Sequence, residues 1–347
     1  MRFREEQTWP RGRVERLQHH SSVLKDNPWR DPANRELCVY LPHGYTESGS
    51  PLISLWDLAG FTNSGPGHLN WRNHGENLPQ RLDRLIGEGR MPPVAVVMPD
   101  CYTSLGGNQY VNSPSVGRYS DYVIEELIPF VSDRLNLRAD SRGRAAFGKS
   151  SGGFGALYLA MEYPGCWAAV ASHAGDAGFE WLFFPEFPQA CSVLSQFDGD
   201  ISAFLERFWS KNQPSGRDFA ALMVIAMAAS YDPRPDEPLG IELPFDLDTM
   251  ELDEAAWKRW MAFDPVVMIE RRECQEALRA LSGLYIDVGR RDQYNIHYGN
   301  RRLRKRLADL EIACHYEEFD GTHSAIDWRL DTSLPWLTSR LVVSDSA

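Results

Sequence analysis

Residues 148–152 read Gly-Lys-Ser-Ser-Gly, which matches the pattern G-x-S-x-G. This pattern is typical of a sharp turn from a strand into a helix, in which a serine hydroxyl is lifted above the edge of a sheet. Side chains at Gly148 and Gly152 would collide with a neighbouring strand or helix, so the two glycines permit a strained backbone at Ser150. The pattern predicts that Ser150 is a nucleophile and that Ser151 begins the helix.

A serine is a poor nucleophile until a histidine takes its proton and a carboxylate orients that histidine. Two downstream residues supply these groups in the order that a strand-turn-helix nucleophile requires. Asp292 follows the predicted strand 284–288, and His323 follows the predicted strand 313–319. Because the carboxyl ends of parallel strands meet at one edge of a sheet, we expect Ser150, Asp292 and His323 to converge as a catalytic triad.

Two other carboxylates stand near Asp292 in the sequence. Asp287 lies within the predicted strand, where a capping or packing role is expected, and Asp320 closely precedes His323. We therefore favour Asp292 as the partner of His323. The nine histidines show neither H-x-x-x-H nor H-E-x-x-H spacing, so neither a catalytic metal nor a cofactor is predicted.

The oxyanion that forms when a serine attacks a carbonyl needs two preorganised N–H donors. One donor is expected at Ser151, because this residue stands at the start of the predicted helix. The other is expected in residues 58–62, which read Leu-Ala-Gly-Phe-Thr after an early strand, and we assign it to Phe61. The predicted oxyanion hole therefore consists of the backbone N–H groups of Phe61 and Ser151.

The same stretch of sequence also allows a different interpretation. Residues 143–150 match G-x-x-x-x-G-K-[ST], the phosphate-cradling loop of nucleotide triphosphatases. That loop needs a hydrophobic strand before its first glycine, whereas residues 138–142 read Arg-Ala-Asp-Ser-Arg. The predicted strand 144–147 lies between the two glycines instead. A nucleotide-binding protein that uses Lys149 and Ser150 is the second hypothesis.

The elements that would position these residues alternate along the chain. Short apolar runs predict strands at 36–41, 51–58, 94–98, 144–147, 168–172, 284–288 and 313–319. Amphipathic stretches between them predict helices at 78–87, 119–135, 152–163, 266–281 and 298–310. This alternation predicts an α/β protein with a mostly parallel central sheet flanked by helices.

The series of strands is interrupted at residues 177–262, where 14 of 86 residues are aromatic, a share above the 12% of the whole chain. Several prolines within residues 233–244 indicate an irregular loop. The apolar run 219–229 is about half as long as a membrane-spanning helix, so we expect a buried or lid helix there. The interruption predicts an aromatic-rich lid over Ser150. Candidate pocket residues at strand ends or at the start of the lid are Trp56, Trp71, His173, Asp176, Phe179 and Trp181.

The composition of the 347-residue chain excludes several classes of protein. Its 43% hydrophobic and 24% charged residues exclude a disordered chain, and its net charge of −12 argues against a nucleic-acid partner. Six cysteines without a C-x-x-C pair argue against a zinc ribbon or a redox motif. Residues 1–13 lack the apolar core of a secretory signal, and no membrane span is predicted, so we expect a cytoplasmic protein. The sequence leaves a homodimer open.

Taken together, these segments resemble the putative-esterase family of α/β-hydrolases, which includes esterase D or S-formylglutathione hydrolases, feruloyl esterases, enterochelin esterases and mycolyltransferases. The resemblance covers roughly residues 35–175 and 263–340. It rests on the segments at 58–61, 97–100, 119–130, 148–153, 289–292 and 321–323. The sequence departs from the family pattern at Ala59, where histidine is common, and at Lys149, where His, Tyr or Gln often stands.

The resemblance implies an α/β-hydrolase fold and a serine hydrolase with Ser150, Asp292 and His323 as its triad. We therefore expect a carboxylic-ester hydrolase that acts through an acyl-enzyme on a small ester with an apolar or aromatic part. Acyl transfer to an alcohol is an alternative on the same triad, and a non-catalytic binding protein is a third. The expected organisation is a core of residues 1–176 and 263–347 with an inserted lid at 177–262.

Overall fold

Seven of the ten strands in the described residues overlap the runs predicted as strands, whereas those at Arg13–His20, Asn112–Ser113 and Gly117–Arg118 were not predicted. The chain is described by a computed structural model, and the described residues are 8–342. Residues 1–7 and 343–347 of the predicted core therefore lie outside the described residues. So does the first half of residues 1–13, the segment in which a secretory signal was not predicted. The strands are β1 (Arg13–His20), β2 (Asn34–Leu41), β3 (Ser54–Leu58), β4 (Ala95–Pro99), β5 (Asn112–Ser113), β6 (Gly117–Arg118), β7 (Arg144–Lys149), β8 (Ala169–His173), β9 (Gly283–Gly289) and β10 (His315–Phe319).

Eight of these strands form one sheet in the order β1-β2-β4-β3-β7-β8-β9-β10. β2 runs antiparallel to both of its neighbours, and the strands from β4 to β10 pair in parallel. The central strands β3, β4, β8 and β9 are buried along their whole length, as expected when helices cover both faces of a parallel sheet. The predicted α/β class with a mostly parallel sheet is confirmed.

The α-helices connect the strands, form the segment between β8 and β9, or follow β10. They are α1 (Leu78–Gly87), α2 (Tyr119–Asp121), α3 (Ile128–Ser132), α4 (Ser151–Glu162), α5 (Phe179–Phe183), α6 (Phe187–Leu194), α7 (Ile201–Ser210), α8 (Gly216–Tyr231), α9 (Glu254–Met261), α10 (Pro265–Met268), α11 (Arg272–Arg279), α12 (Ile296–Asp309) and α13 (Leu330–Thr338). α1 has the predicted bounds. Across the described residues, no helix combines the length and the apolar character needed to cross a membrane.

Two predicted helices are less regular than expected. Between α2 and α3 lies a π-helical turn, Tyr122–Leu127, which directly precedes the helix that contains Pro129. Proline has no N–H to donate to the carbonyl four residues earlier, so the regular ladder cannot continue through this position. The predicted helix 266–281 is divided into α10 and α11. In both places the periodicity indicates the buried face but not the local bonding pattern.

The segment at 177–262, called the insertion below, packs on α4 through aromatic side chains. Phe154 of α4 contacts Phe179 and Tyr231 at ring-centroid distances of 6.0 and 5.9 Å. The ends of the insertion meet at Asp264, whose carboxylate accepts hydrogen bonds from the backbone N–H groups of Gly178 (3.1 Å) and Phe179 (2.8 Å). The insertion therefore shares the hydrophobic core of α4, and its description as a lid remains a prediction.

Candidate active site

Ser150 occupies the junction between β7 and α4, at the carboxyl edge of the sheet. Its backbone is strained, with φ 57° and ψ −125°, and its N–H donates to the carbonyl of His173 at 2.9 Å. A Cβ on Gly152 would lie 1.8 Å from the carbonyl oxygen of Leu58, and one on Gly148 would lie 2.4 Å from the backbone of Gly152. The predicted steric reason for both glycines is confirmed, because neither position has room for a side chain.

His323 and Asp292 lie together on the loops that follow β10 and β9. The Nδ1 atom of His323 is 2.8 Å from Oδ2 of Asp292, and both side chains are buried. The other oxygen of Asp292 accepts the N–H of Tyr294 at 2.9 Å, and the N–H of His323 donates to Gln293 Oε1 at 2.9 Å. These hydrogen bonds fix the position of the Asp292 side chain. Because Nδ1 of His323 faces the carboxylate, the second ring nitrogen, Nε2, points away from it.

The alternative carboxylates have other partners. Asp287 is fully buried in β9 and accepts hydrogen bonds from His173 Nδ1 at 2.7 Å and from Arg329 Nε at 2.7 Å. Asp320 lies on the surface and pairs with Arg291. The structure therefore brings Asp292, and neither of the other two carboxylates, to His323.

Ser150 and His323 face one cavity of about 750 Å³, which also contacts the insertion. One wall of the cavity is apolar and is formed by Phe61, Leu182, Phe183, Phe219, Ala220, Met223 and Met227. A second group of lining residues, called the charged wall below, consists of Asp57, His68, Arg72, Glu76, Arg81, Lys149 and Asp327. A pocket of this size with one apolar and one charged wall suits a small molecule that has one apolar and one polar half.

Asp176 is a second buried carboxylate beside the candidate nucleophile. Its Oδ1 atom accepts a hydrogen bond from Ser150 Oγ at 3.5 Å, and its Oδ2 atom accepts one from Ser151 Oγ at 3.3 Å. Gln109 Nε2 donates to the same carboxylate at 3.1 Å. Burial raises the pKa of Asp176 to about 6, because removal from water disfavours the charged form. Among the described residues, Ser150 Oγ is bonded to this carboxylate and not to His323, a looseness common in ligand-free enzymes.

The two predicted oxyanion donors lie next to the turn at Ser150. Gly60 approaches so closely that a Cβ there would lie 3.0 Å from the carbonyl oxygen of Lys149. The N–H of Thr62 is used in a loop hydrogen bond, whereas the N–H groups of Phe61 and Ser151 donate to no acceptor within residues 8–342. Both N–H groups are therefore available to an oxyanion, and the role of Phe61 and Ser151 stays a prediction.

Of the six predicted pocket residues, His173 and Asp176 line the cavity and four do not: Trp56, Trp71, Phe179 and Trp181. Trp56 is buried in the core against Trp167, with ring centroids 5.9 Å apart. Phe179 is buried among the rings of the insertion, whereas Trp71 and Trp181 are 59% and 51% exposed on the surface. The strand that contains Trp56 and the helix that contains Phe179 and Trp181 turn these rings away from the cavity, and the loop at Trp71 leaves its ring on the surface.

The expectation of a ring-lined pocket also needs correction. From the insertion, only Phe183 and Phe219 contribute rings to the cavity. Most other aromatic side chains of the insertion pack against one another, as Phe187, Trp257 and Trp260 do at centroid distances of 5.9 to 6.0 Å. The aromatic surplus mainly builds the core of the insertion, and aliphatic and thioether side chains complete the apolar wall.

The nucleotide-binding alternative lacks its loop. β7 occupies Arg144–Lys149, so a strand fills the space between the two glycines of the motif. Gly143 is buried in the short helical turn Ser141–Gly143. Because no flexible loop is present there, the backbone cannot wrap phosphates, and the structure contradicts this alternative. Among residues 8–342, no three His, Cys, Asp or Glu side chains are grouped as metal ligands.

Sequence reasoning missed several cavity residues. His68, Arg72 and Asp327 come from loops whose positions depend on the tertiary fold. Phe219, Met223 and Met227 had a usable signal, since their spacing of four residues places them on one face of a helix.

The family model described as "Putative esterase" matches residues 32–333. Esterases of two strains of Mycobacterium tuberculosis are 38% identical over 91 residues, which is 24% of this chain, and the chain spans only 19% of their length. A ferulic acid esterase structure covers 95% of this chain and 99% of its own, with 18% identity and a TM-score of 0.61. The structure of an S-formylglutathione hydrolase from Agrobacterium tumefaciens covers 95% of this chain and 96% of its own, with 19% identity and a TM-score of 0.57. At these identities the structural likeness shows the α/β-hydrolase fold.

Proposed function

Because the chain belongs to the putative esterase family, we propose that it hydrolyses carboxylic esters of small molecules through an acyl-enzyme on Ser150. The observation that carries the proposal is that Ser150 and His323 line one cavity and that His323 is hydrogen bonded to the buried Asp292. A nucleophile, a general base and an orienting carboxylate are the three groups that this chemistry needs.

In the proposed reaction His323 takes the proton of Ser150 through Nε2, and the serine oxygen attacks the ester carbonyl carbon. The N–H groups of Phe61 and Ser151 donate to the oxygen that becomes negative. The tetrahedral intermediate collapses as the alcohol leaves with the proton carried by His323. Water then attacks the acyl group in the same way, and the acid departs while Ser150 regains its proton.

Asp292 and Asp176 have different proposed roles. Asp292 fixes the orientation of His323 and stabilises its protonated ring, because it bonds Nδ1 directly. Asp176 acts at longer range, through the electrostatic attraction between its carboxylate and a protonated His323. It also holds the hydroxyl of Ser150 in the resting enzyme. We further propose that the apolar wall takes an apolar acyl or alcohol part.

Active-site labelling tests the proposed nucleophile directly. A fluorophosphonate probe should add one phosphonyl group per wild-type chain, because only a hydroxyl with an aligned base reacts readily. Peptide mapping should place the group on Ser150, and the surface variant Ser339→Ala should label like wild type. Labelling of a different serine would contradict the assignment.

Replacing Asp176 with asparagine should stabilise the protein at alkaline pH. Above about pH 6 the ionised carboxylate opposes folding by up to about 3 kcal/mol, the equivalent of raising its pKa from 3.8 to about 6. As the pH falls through 6, the folded state takes up the proton before the unfolded chain does, so the penalty disappears. Chemical unfolding of Asp176→Asn and wild type should therefore differ most at pH 8 and least near pH 4.

The same variant should lose kcat/KM on the order of tenfold at pH 8, because asparagine cannot attract a protonated His323. Asp309→Asn, which removes a surface carboxylate, is the matched control. A stability difference that stays constant between pH 5 and pH 8 would contradict a buried carboxylate that titrates near 6.

A further inference from the structure

The side chain of Lys149 enters the charged wall of the cavity, immediately before the candidate nucleophile. Lys149 is the last residue of β7, and it pairs in register with His173 of β8. Both residues line the cavity, as does Phe147 two residues earlier on the same face of the strand. The position of Lys149 is therefore fixed by the sheet and not by a mobile loop.

The other cationic side chains of this wall have carboxylate partners. Arg72 pairs with Asp327, Arg81 pairs with Asp331, and His68 pairs with Asp57.

Lys149 has no such partner. In the described part of the chain, no carboxylate oxygen lies within 4.0 Å of its Nζ atom, the limit for an ion pair. The third carboxylate of the wall, Glu76, is bound by Arg84 at 2.8 Å. When the pairs are counted as neutral, the wall keeps one positive charge, at Lys149.

An unpaired ammonium in a partly dry cavity is costly for the free protein. Burial lowers the pKa of Lys149, and the carboxylates of Asp327 and Asp292 offset this effect only in part. A ligand anion placed against the ammonium would offset the remaining cost. The positive charge is confined to the surroundings of Lys149, because Asp176 and Glu186 also line the cavity and the chain as a whole has a net charge of −12.

We propose that Lys149 binds an anionic group, a carboxylate or a phosphate, on one half of the ester, while the apolar wall binds the other half. This inference rests on the proposed ester hydrolysis and adds a substrate class to it. The carbonyl of such an ester would lie between the two walls, at Ser150. The volume of about 750 Å³ accommodates both halves at once.

Matched esters test this assignment. The first pair is the 4-nitrophenyl monoester of glutaric acid and its methyl-capped neutral analogue. The second pair carries the charge on the alcohol side: 4-acetoxyphenylacetate and 4-acetoxyphenylacetamide. Wild type should prefer the anionic member of at least one pair by about 10- to 100-fold in kcat/KM, the range expected for a charge-assisted hydrogen bond.

The variant Lys149→Met should remove that preference, Lys149→Arg should retain it within about threefold, and the surface variant Lys305→Gln should leave it unchanged. Lys149→Met should also raise the midpoint of thermal unfolding, because it removes a buried unpaired charge. A lysine with only a structural role would give the opposite change in stability.

These experiments distinguish a failure of the proposed anion site from a failure of the proposed ester hydrolysis. If neutral esters are hydrolysed but wild type prefers the anionic member of neither pair, the anion site is overturned and ester hydrolysis stands. The same holds if Lys149→Met keeps the full preference. If no ester is hydrolysed and no serine is labelled by the fluorophosphonate probe, the proposed function itself fails.

Discussion

Ser150→Ala is expected to lower kcat for 4-nitrophenyl acetate by at least about 10,000-fold, because it removes the oxygen that carries the acyl group in the proposed mechanism. Loss of a triad nucleophile leaves whatever catalysis the oxyanion donors and substrate binding still provide. Steady-state kinetics with an active-site titration of wild type would measure the change. The folded structure should persist, since alanine removes one oxygen whose hydrogen bond to Asp176 is long at 3.5 Å.

The control for this variant is its unfolding midpoint and its reaction with the fluorophosphonate probe. An intact fold without labelling would separate loss of the nucleophile from loss of structure. Turnover within tenfold of wild type would show that the reaction does not pass through Ser150, and the proposed mechanism would have to be abandoned.

Asp292→Asn is the second change with a large expected effect. The carboxamide has nearly the same shape, but it can no longer hold His323 in the tautomer that accepts a proton on Nε2 or stabilise its charged form. We expect kcat to fall by about 10,000-fold with little change in KM, because the lost interaction matters mainly in the transition state.

Two other aspartate variants make this test specific. Asp320→Asn breaks an exposed ion pair with Arg291 and should leave kcat within about twofold. Asp287→Asn disturbs the buried bonds to His173 and Arg329, so its main effect should be on the free energy of unfolding. If Asp287→Asn lowered kcat as strongly as Asp292→Asn without loss of stability, the assignment of the orienting carboxylate would be wrong.

The features that were predictable from the sequence are those that local geometry determines. The turn at Ser150 needs glycines at fixed offsets because the backbone of β3 lies against it, and this requirement is visible in five residues. The placement of Asp292 and His323 was predictable because each follows a predicted strand, and the ends of parallel strands share an edge.

The features that were not predictable depend on which way a side chain points. In β3 the ring of Trp56 faces the core, and the adjacent Asp57 lines the cavity, so a choice wrong by one residue selects the opposite face. The exposed rings of Trp71 and Trp181 depend on how loops and helices pack. No local sequence pattern predicts the direction of these side chains, because it is determined by the packing of segments that are distant in the sequence.

Asp264 has a consequence for how such a protein can diversify. Its carboxylate ties the start of the insertion, at Gly178 and Phe179, to the chain that leads back towards β9. The span between the two junctions is thus fixed by one side chain, whatever lies between them. Doubling the length of a closed loop costs only about 0.6 kcal/mol of chain entropy. A change in the length of the insertion should therefore cost little chain entropy, provided that its ring contacts with Phe154 of α4 are kept.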